Sequence, residues 1–175
     1  MNAEQEGEFC EFVSGRSQAM LRTAYLLTGD LARAEDLLQS ALAKLYLAWN
    51  RIRDSGAVES YARRVLVTTA ASASRRRWWG EIPVAAMPES SAPDFSEGSD
   101  LHGTLWPLVR ALPTGQRAVL VLRYYEELSE AEVADALRIS VGTVKSQTSR
   151  ALGALRAQIG AAATSKGSGL HDEQS

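Results

Sequence analysis

The chain has 175 residues, of which 45% are hydrophobic, and its formal net charge is −2. This length suits one domain of average size or two small ones, and the near-neutral charge excludes a generally basic nucleic-acid-binding protein, so DNA binding would have to be local. One cysteine and two histidines exclude an intramolecular disulfide and disfavour a Cys or His metal site, so we expect no metal and no cofactor.

Charge is distributed unevenly along the chain. Residues 51–80 contain seven basic and two acidic residues, residues 81–104 contain five acidic and no basic ones, and residues 105–160 contain seven basic and five acidic ones. Two basic blocks on either side of an acidic connector predict a protein of two units. The N-terminus lacks a secretory pattern and no apolar run approaches the ~20 residues of a membrane span, so we expect a soluble, cytoplasmic protein without membrane contact.

The first unit is predicted as three amphipathic helices, because its apolar residues recur at helical spacing. Gly29 can end the first helix and Asp30 can cap the second. The approximate bounds of the helices are residues 8–28, 30–50 and 58–78, with a loop over 50–57.

The second helix has a polar face formed by Glu35, Asp36, Gln39 and Tyr46. This face is either an ordinary solvated surface or a surface that docks on another protein. Leu37 and Leu38 are adjacent, and a helix in a small bundle rarely buries two neighbours fully, which slightly favours docking.

The third helix carries basic and aromatic residues together, namely Tyr61, Arg63, Arg64, Arg75, Arg76 and Arg77, followed by Trp78 and Trp79. Cationic side chains neutralise phosphates, and aromatic faces stack on unpaired bases for about 1–3 kcal/mol each. The stretch therefore indicates a nucleic-acid contact. The alternative is a solvated helix end with one tryptophan in the core.

Residues 80–102 are rich in Pro, Gly, Ser and acidic residues, which predicts a linker of ~20 residues that can reach ~70 Å. It is either a plain spacer or a segment that mimics nucleic-acid charge in a channel. Residues 103–158 predict a second all-α unit, in which Pro113 ends a short helix and Thr114 can cap the next. Residues 159–175 are expected to form a disordered tail.

Residues 128–150 predict a helix, a tight turn and a second helix. Ser129 and Glu132 have the spacing of a capping box, and Ser140 can cap the second helix. The polar face of that second helix can enter a major groove and is formed by Lys145, Ser146, Gln147, Ser149 and Arg150. The alternative is a helical hairpin within a core. No catalytic residues are predicted and an enzyme is not expected, because Ser/His/Asp sets and glycine-rich phosphate loops are absent from the sequence.

Several motifs stand in a characteristic order. The first is Ala34-Glu35-Asp36-Leu37-Leu38-Gln39 with Tyr46 and Trp49, and the second is Tyr61-Ala62-x-Arg64-Val65-Leu66. The third comprises Leu112-Pro113-x-x-Gln116-Arg117-Ala118-Val119-Leu120, Leu128-Ser129-x-x-Glu132-Val133-Ala134 and Ser140-Val141-Gly142-Thr143-Val144-Lys145-Ser146. Together they resemble regions 2 and 4 of extracytoplasmic-function (ECF) sigma factors, the small members of the sigma-70 family of bacterial RNA polymerase initiation factors.

The resemblance implies an all-α fold with region 2 over residues 8–79, a linker over 80–102, region 4 over 103–158 and a tail over 159–175. It implies an alternative sigma factor that binds core RNA polymerase and directs promoter-specific initiation. The implied partners are core polymerase and promoter DNA, the latter as duplex at the −35 element and as single non-template strand at the −10 element. An anti-sigma factor is a further candidate partner, since many relatives have one.

Site residues follow from the matched positions. Core-polymerase binding is implied for Glu35, Asp36, Leu38 and Gln39. Contact with the −10 element is implied for Ile52, Arg53, Tyr61, Arg64, Thr68, Arg75, Arg76 and Arg77. Contact with the −35 element is implied for Thr143, Lys145, Ser146, Gln147, Ser149 and Arg150.

Four positions depart from the family pattern. Thr68 stands where Asn is frequent, Tyr61 replaces Trp, Gln147 replaces a common Arg, and Arg138 replaces a frequent turn Gly. The promoter sequence of another family member therefore cannot be assigned to this chain. Two other functions stay open at this point: a conventional helix-turn-helix regulator with an N-terminal ligand or dimer domain, and a decoy that binds polymerase but no promoter.

Overall fold

The computed structural model describes residues 2–53, 56–78 and 100–167, with the side chains of 74–78, 100–104 and 162–167 left out of the description. Within these ranges all regular structure is helical, which confirms the predicted all-α fold. The seven α-helices are α1 Ala3–Thr28, α2 Leu31–Ile52, α3 Val58–Trp78, α4 Asp100–Arg110, α5 Thr114–Leu120, α6 Glu130–Leu137 and α7 Val141–Gly167. A π-helical turn, Val121–Tyr125, continues α5.

The connection between α1 and α2 is confirmed as predicted. Gly29 ends α1 in the left-handed region at φ 72°, and its N–H donates to the carbonyl of Tyr25 at 2.7 Å. Asp30 caps α2, its Oδ1 accepting a 2.9 Å bond from the N–H of Arg33. This tight turn folds α1 back against α2.

In the first half of the chain, α2 packs against both α1 and α3. Phe9 and Phe12 of α1 lie against the ring of Trp49, with centroids 5.1 and 5.5 Å away. Leu37 and Leu38 are both buried, so the expectation that one of them would stay exposed is wrong. A helix with partners on two sides buries a stripe at least 100° wide, and such a stripe includes adjacent positions.

In the second half, α5 and α6 pack on α7. The capping box of Ser129 and Glu132 is confirmed, and Ser140 Oγ accepts a 3.0 Å bond from the N–H of Thr143 at the start of α7, as predicted. Arg138 makes the turn in the left-handed region at φ 55°, where the family pattern places glycine.

Three boundaries differ from the prediction. Thr114 is the first residue of α5 rather than its cap, and Pro113 precedes it without a side-chain cap. Helix α4 begins at Asp100, inside the linker predicted over 80–102, and residues 80–99 of that linker lie outside the described residues. Helix α7 continues to Gly167 rather than ending near 158, because the run of alanines at 161–163 has high helix propensity.

The two halves of the chain share one core. Buried residues of α1, α2 and α3 form a single cluster with Val119, Val121, Leu122, Val133 and Val144 of the second half. A smaller cluster around Leu112 and Leu155 lies within the second half. The sequence predicted two units held only by a linker, whereas the described residues pack directly on one another.

Candidate functional site

The predicted polymerase-docking residues lie on α2. Glu35, Asp36 and Gln39 are exposed on one face of this helix. Leu38 is only 7% exposed and belongs to the core, so it cannot contribute a contact from the surface. The accessible part of the predicted docking face is therefore polar, and the assignment of Leu38 to that face is corrected.

The end of α2 holds two residues predicted to contact the −10 element. Ile52 is 7% exposed and packs in the core, so its assignment to DNA is also corrected. Arg53 is positioned by α1, since its Nη1 lies 3.0 Å from the Glu8 carboxylate. The resemblance implies a −10 contact for the loop over 50–57, whereas α2 continues to Ile52 and buries its side chain.

Helix α3 presents the remaining −10 residues. Tyr61 is half-buried against the core, and Arg64 is exposed. The hydroxyl of Thr68 donates to the carbonyl of Arg64 at 2.8 Å, so its one donor hydrogen is used within the helix. Arg75, Arg76 and Arg77 continue α3, and their side chains lie outside the described residues.

Helix α7 presents the residues predicted to contact the −35 element on the face opposite its buried residues Val144 and Ala151. The exposed members of the predicted set are Lys145, Ser146, Ser149 and Arg150, and the half-buried members are Thr143 and Gln147. The helix is thus anchored on one side and accessible on the other, which is the arrangement needed to enter a major groove.

Hydrogen bonds within α7 limit what two of these residues can offer DNA. The Thr143 and Ser140 hydroxyls are 2.8 Å apart, and Ser146 Oγ donates to the Thr143 carbonyl at 3.0 Å. Lys145 Nζ is 3.7 Å from Glu130 Oε2 in an exposed, weak pair that a phosphate can replace. Within the predicted set, the hydroxyls of Thr143 and Ser146 are thus engaged at the start of the helix, whereas the Lys145 amine can exchange its partner for a phosphate.

The arginines of α3 contact acidic residues of the second half of the chain. Arg63 Nε lies 2.8 Å from Glu126 Oε2, and Arg64 Nη2 lies 3.2 Å from Asp135 Oδ2. Sequence reasoning did not assign Glu126 a role. No sequence signal pairs it with Arg63, because the contact depends on how separate helices pack.

Arg117 is a further buried group that the sequence did not single out beyond its place in the Gln116-Arg117 motif. Its Nη2 donates to the carbonyls of Leu27 and Thr28 at 3.3 and 3.1 Å, and its Nη1 donates to the carbonyl of Arg110 at 3.1 Å. Burial lowers the pKa of Arg117, with further lowering by the charges of Arg110 and Arg33.

The capping box of α6 also changes the pKa of one of its own side chains. The side-chain hydrogen bond with Ser129, followed by the bond from the Ser129 backbone N–H, lowers the pKa of Glu132. Burial opposes this shift and Arg63 adds to it to a smaller extent. Glu132 therefore serves the helix terminus as an ionised carboxylate at neutral pH.

The described residues contain neither a cluster of metal ligands nor a membrane-spanning helix. No three of their His, Cys, Asp and Glu side chains converge in a way that could hold a metal ion. None of the helices in that part of the chain has the length and apolar character needed to cross a membrane.

Comparison with known proteins gives matches over both halves. A family model described as Sigma-70 region 2 matches residues 13–80, and one described as Sigma-70, region 4 matches residues 104–155. An RNA polymerase sigma-E factor of Streptomyces coelicolor is 41% identical over 157 residues, covering 87% of this chain and 86% of that protein. The ECF RNA polymerase sigma factor SigL of Mycobacterium tuberculosis is 32% identical over 140 residues, covering 77% of this chain and 79% of SigL.

Solved structures with a similar fold include a sigma factor complex. It is the sigma factor RpoE in complex with the anti-sigma factor NepR from Bartonella quintana, with a TM-score of 0.61. The match covers 87% of this chain and 96% of that chain at 20% sequence identity. At this identity the likeness concerns the fold alone.

Proposed function

Because the chain belongs to the extracytoplasmic-function subfamily of the sigma-70 family, we propose that two of its faces divide promoter recognition between them. As a member of this subfamily, the chain is an alternative sigma factor that binds core RNA polymerase and directs promoter-specific initiation. The exposed face of α7 binds the −35 element as duplex. Helix α3 and the loop before it bind the −10 element as a single strand. The polar face of α2 docks on core polymerase.

The observation that carries this division is the contrast between the two cationic faces. Helix α7 combines an apolar side buried against α5 and α6 with exposed Lys145 and Arg150, and it is presented by a capped turn, as a recognition helix is. Helix α3 combines exposed Arg63 and Arg64 with the half-buried ring of Tyr61. An aromatic ring beside cations suits unpaired bases rather than a closed duplex.

The mechanism needs no catalysis by this chain. Binding of α7 upstream and of α2 to polymerase holds the promoter in place. Side chains of α3 then capture −10 bases that have left the stack, which offsets an unpairing and unstacking cost of a few kcal/mol. Polymerase carries out the chemistry. Because its partners are polymerase and chromosomal DNA, we place its action in the cytoplasm.

An anti-sigma factor is part of the proposal. The related fold of Bartonella quintana RpoE was solved in complex with the anti-sigma factor NepR. The present chain matches the models of Sigma-70 region 2 and region 4, and its structural match covers 96% of that RpoE chain. A protein of this kind would have to cover the docking face of α2 or one of the two DNA faces in order to prevent initiation.

Permanganate footprinting tests the division between the two faces. With core polymerase and a promoter that the chain uses, thymines of the −10 element should become reactive because they are unpaired, while the −35 element should be protected as duplex. Specific binding to duplex DNA by a dimer without polymerase, with no reactive thymines, would instead indicate a conventional helix-turn-helix regulator.

A further inference from the structure

Three arginines from different helices surround the point where α1 ends and α2 begins. Arg33 stands in the first turn of α2, Arg110 is the last residue of α4, and Arg117 lies on α5. We call these three residues the arginine cluster. None of them lies on α3 or α7, the helices that we assign to promoter DNA, so the cluster is a separate feature of the molecule.

Main-chain groups hold Arg117 in place. Its Nη2 donates to the carbonyls of Leu27 and Thr28 at 3.3 and 3.1 Å, and its Nη1 donates to the carbonyl of Arg110 at 3.1 Å. The guanidinium also packs against Gly29, where an added Cβ would lie 3.2 Å from Nη1. Carbonyl groups accept hydrogen bonds but carry no full negative charge, so these bonds do not neutralise the charge of Arg117.

The arginine cluster has no acidic partner in the part of the chain that the structure describes. Within that part, none of the three guanidiniums forms an ion pair with a carboxylate. Asp30 is close along the chain, but its Oδ1 caps α2 by accepting a 2.9 Å bond from the main-chain N–H of Arg33. Like charges held together without a counter-charge destabilise the folded state.

Arg117 shows the effects of burial and of its charged neighbours. Burial lowers the pKa of Arg117, and the charges of Arg110 and Arg33 lower it further. The residue is only 8% exposed, and its Nε is buried without a hydrogen-bond partner among the described residues. A buried donor that is left unpaired costs stability. The arginine cluster therefore combines an excess of positive charge with an unused donor.

The exposure of the cluster limits what can bind it. Arg33 and Arg110 are half-buried and reach solvent, whereas Arg117 is almost completely buried. A buried charge acts on a bound anion through a medium that screens it less than water does, so the attraction persists at physiological salt. A site with two accessible cations and a third inside the protein suits a small anion.

The number of guanidiniums favours phosphate over carboxylate. Guanidinium groups bind both anions through paired N–H donors. A phosphate monoester carries a charge of about −1.5 to −2 at neutral pH and presents three strong acceptor oxygens, so one group can bind two arginines at once. A carboxylate has a single charge and two oxygens, which leaves more of the positive charge uncompensated.

We propose that the arginine cluster is a binding site for a small phosphate-bearing anion, with Arg33 and Arg110 as its direct ligands and Arg117 as the buried charge that strengthens the attraction. The bound anion offsets the repulsion among the three guanidiniums. It also links α2 to α4, two helices from different halves of the chain. The site does not depend on the assignment of promoter DNA to α3 and α7.

Calorimetric titration of the full chain with inorganic pyrophosphate, at constant ionic strength, tests the site. Arg33→Gln and Arg110→Gln each remove one charge and keep the main-chain bonds, since Arg33 contributes its N–H and Arg110 its carbonyl. Arg156→Gln is the matched control, because it makes the same change at an exposed arginine of α7. Thermal unfolding without pyrophosphate shows whether each variant is folded.

We expect saturable binding by the unaltered chain and by Arg156→Gln, and binding weaker by roughly tenfold or more in both cluster variants. Without pyrophosphate, the cluster variants should unfold at the same temperature as the control or at a higher one, because like charges have been removed. The proposal is overturned if the unaltered chain shows no saturable binding, if all four proteins bind equally, or if both cluster variants unfold at a lower temperature than the control.

Two further titrations identify the carrier of the phosphate. Binding of adenosine diphosphate with the same dependence on Arg33 and Arg110 supports a site that admits nucleotides. Binding of pyrophosphate without adenosine diphosphate supports a site restricted to inorganic phosphates. Binding of a short duplex DNA without promoter sequence, weakened by the same two variants, would assign the arginine cluster to the DNA backbone and would contradict a small-anion site.

Discussion

At the scale of single residues, the contact between Gly29 and Arg117 shows how a helix terminus becomes a binding site. Gly29 stands at φ 72°, and a Cβ at this position would lie 3.2 Å from Arg117 Nη1. The glycine therefore serves two purposes, since it ends α1 and leaves room for the guanidinium that binds the terminal carbonyls.

Gly29→Ala should destabilise the protein for both reasons. A left-handed backbone costs an alanine about 1 kcal/mol, and displacement of Arg117 adds to this. Gly56→Ala is the matched control, because Gly56 has φ 65° and its added Cβ would meet no atom within 4 Å. Urea unfolding followed by circular dichroism should show a larger loss for Gly29→Ala. Equal losses would mean that the contact with Arg117 contributes nothing.

Also at this scale, the structure separates accessible from inaccessible members of the predicted site. Leu38 and Ile52 match family positions but are buried, and Thr68 has its hydroxyl hydrogen in use. Residue type and spacing predicted that these residues lie on helices, and the structure confirms this. They could not fix accessibility, because burial depends on which neighbouring helices cover each face.

At the scale of elements, the capping box explains why α6 begins where it does. The Ser129 hydroxyl accepts from the N–H of Glu132 at 3.2 Å, and Glu132 Oε2 accepts from the N–H of Ser129 at 2.7 Å. This pair was predictable from sequence because it is local. For the turn residue Arg138, by contrast, the sequence showed only that it replaces the glycine that is frequent in the family.

Ser129→Ala should cost about 1 kcal/mol near neutral pH, the usual effect of losing an N-cap. The pKa of Glu132 is lowered in the folded state, so the ionised side chain stabilises the fold. This stabilisation is fully present above the ordinary glutamate pKa near 4.3 and is lost as the pH falls through the lower folded value. The difference in the free energy of unfolding between Ser129→Ala and the unaltered chain should therefore shrink as the pH falls from 5 to about 3.

Urea unfolding at pH 5 and at about pH 3 measures this difference in the free energy of unfolding. Ser72→Ala provides the control, because the Ser72 hydroxyl donates to the carbonyl of Thr68 and involves no carboxylate. Its effect should be the same at each pH. A cost for Ser129→Ala that does not change with pH would contradict the role given to ionised Glu132.

The recognition helix gives a second prediction at this scale. Arg150→Ala should weaken binding to promoters with a −35 element by about 1–3 kcal/mol, or roughly 5- to 150-fold, if the guanidinium contacts a base. Arg156→Ala removes the same charge from an exposed position six residues further along α7. Initiation rates on a −35-dependent promoter should separate the two variants, and equal losses would show only a general charge effect.

At the scale of the whole molecule, the sequence predicted the two regions and their order but not their packing. Helical periodicity, caps and charge blocks are local patterns and can be read directly. The pairing of Arg63 with Glu126 joins residues 63 positions apart across the acidic linker. Several arrangements of two charged helical units satisfy the same pattern, so the one adopted has to be observed.

The most direct measurement of the central claim is transcription in vitro from fragmented genomic DNA, with core RNA polymerase and with or without this chain, followed by mapping of transcript 5′ ends. We expect new start sites that share two sequence blocks, at the −35 and −10 positions, and that depend on Arg150 and Arg64. No chain-dependent start sites, or start sites with no shared −10 block, would contradict the account.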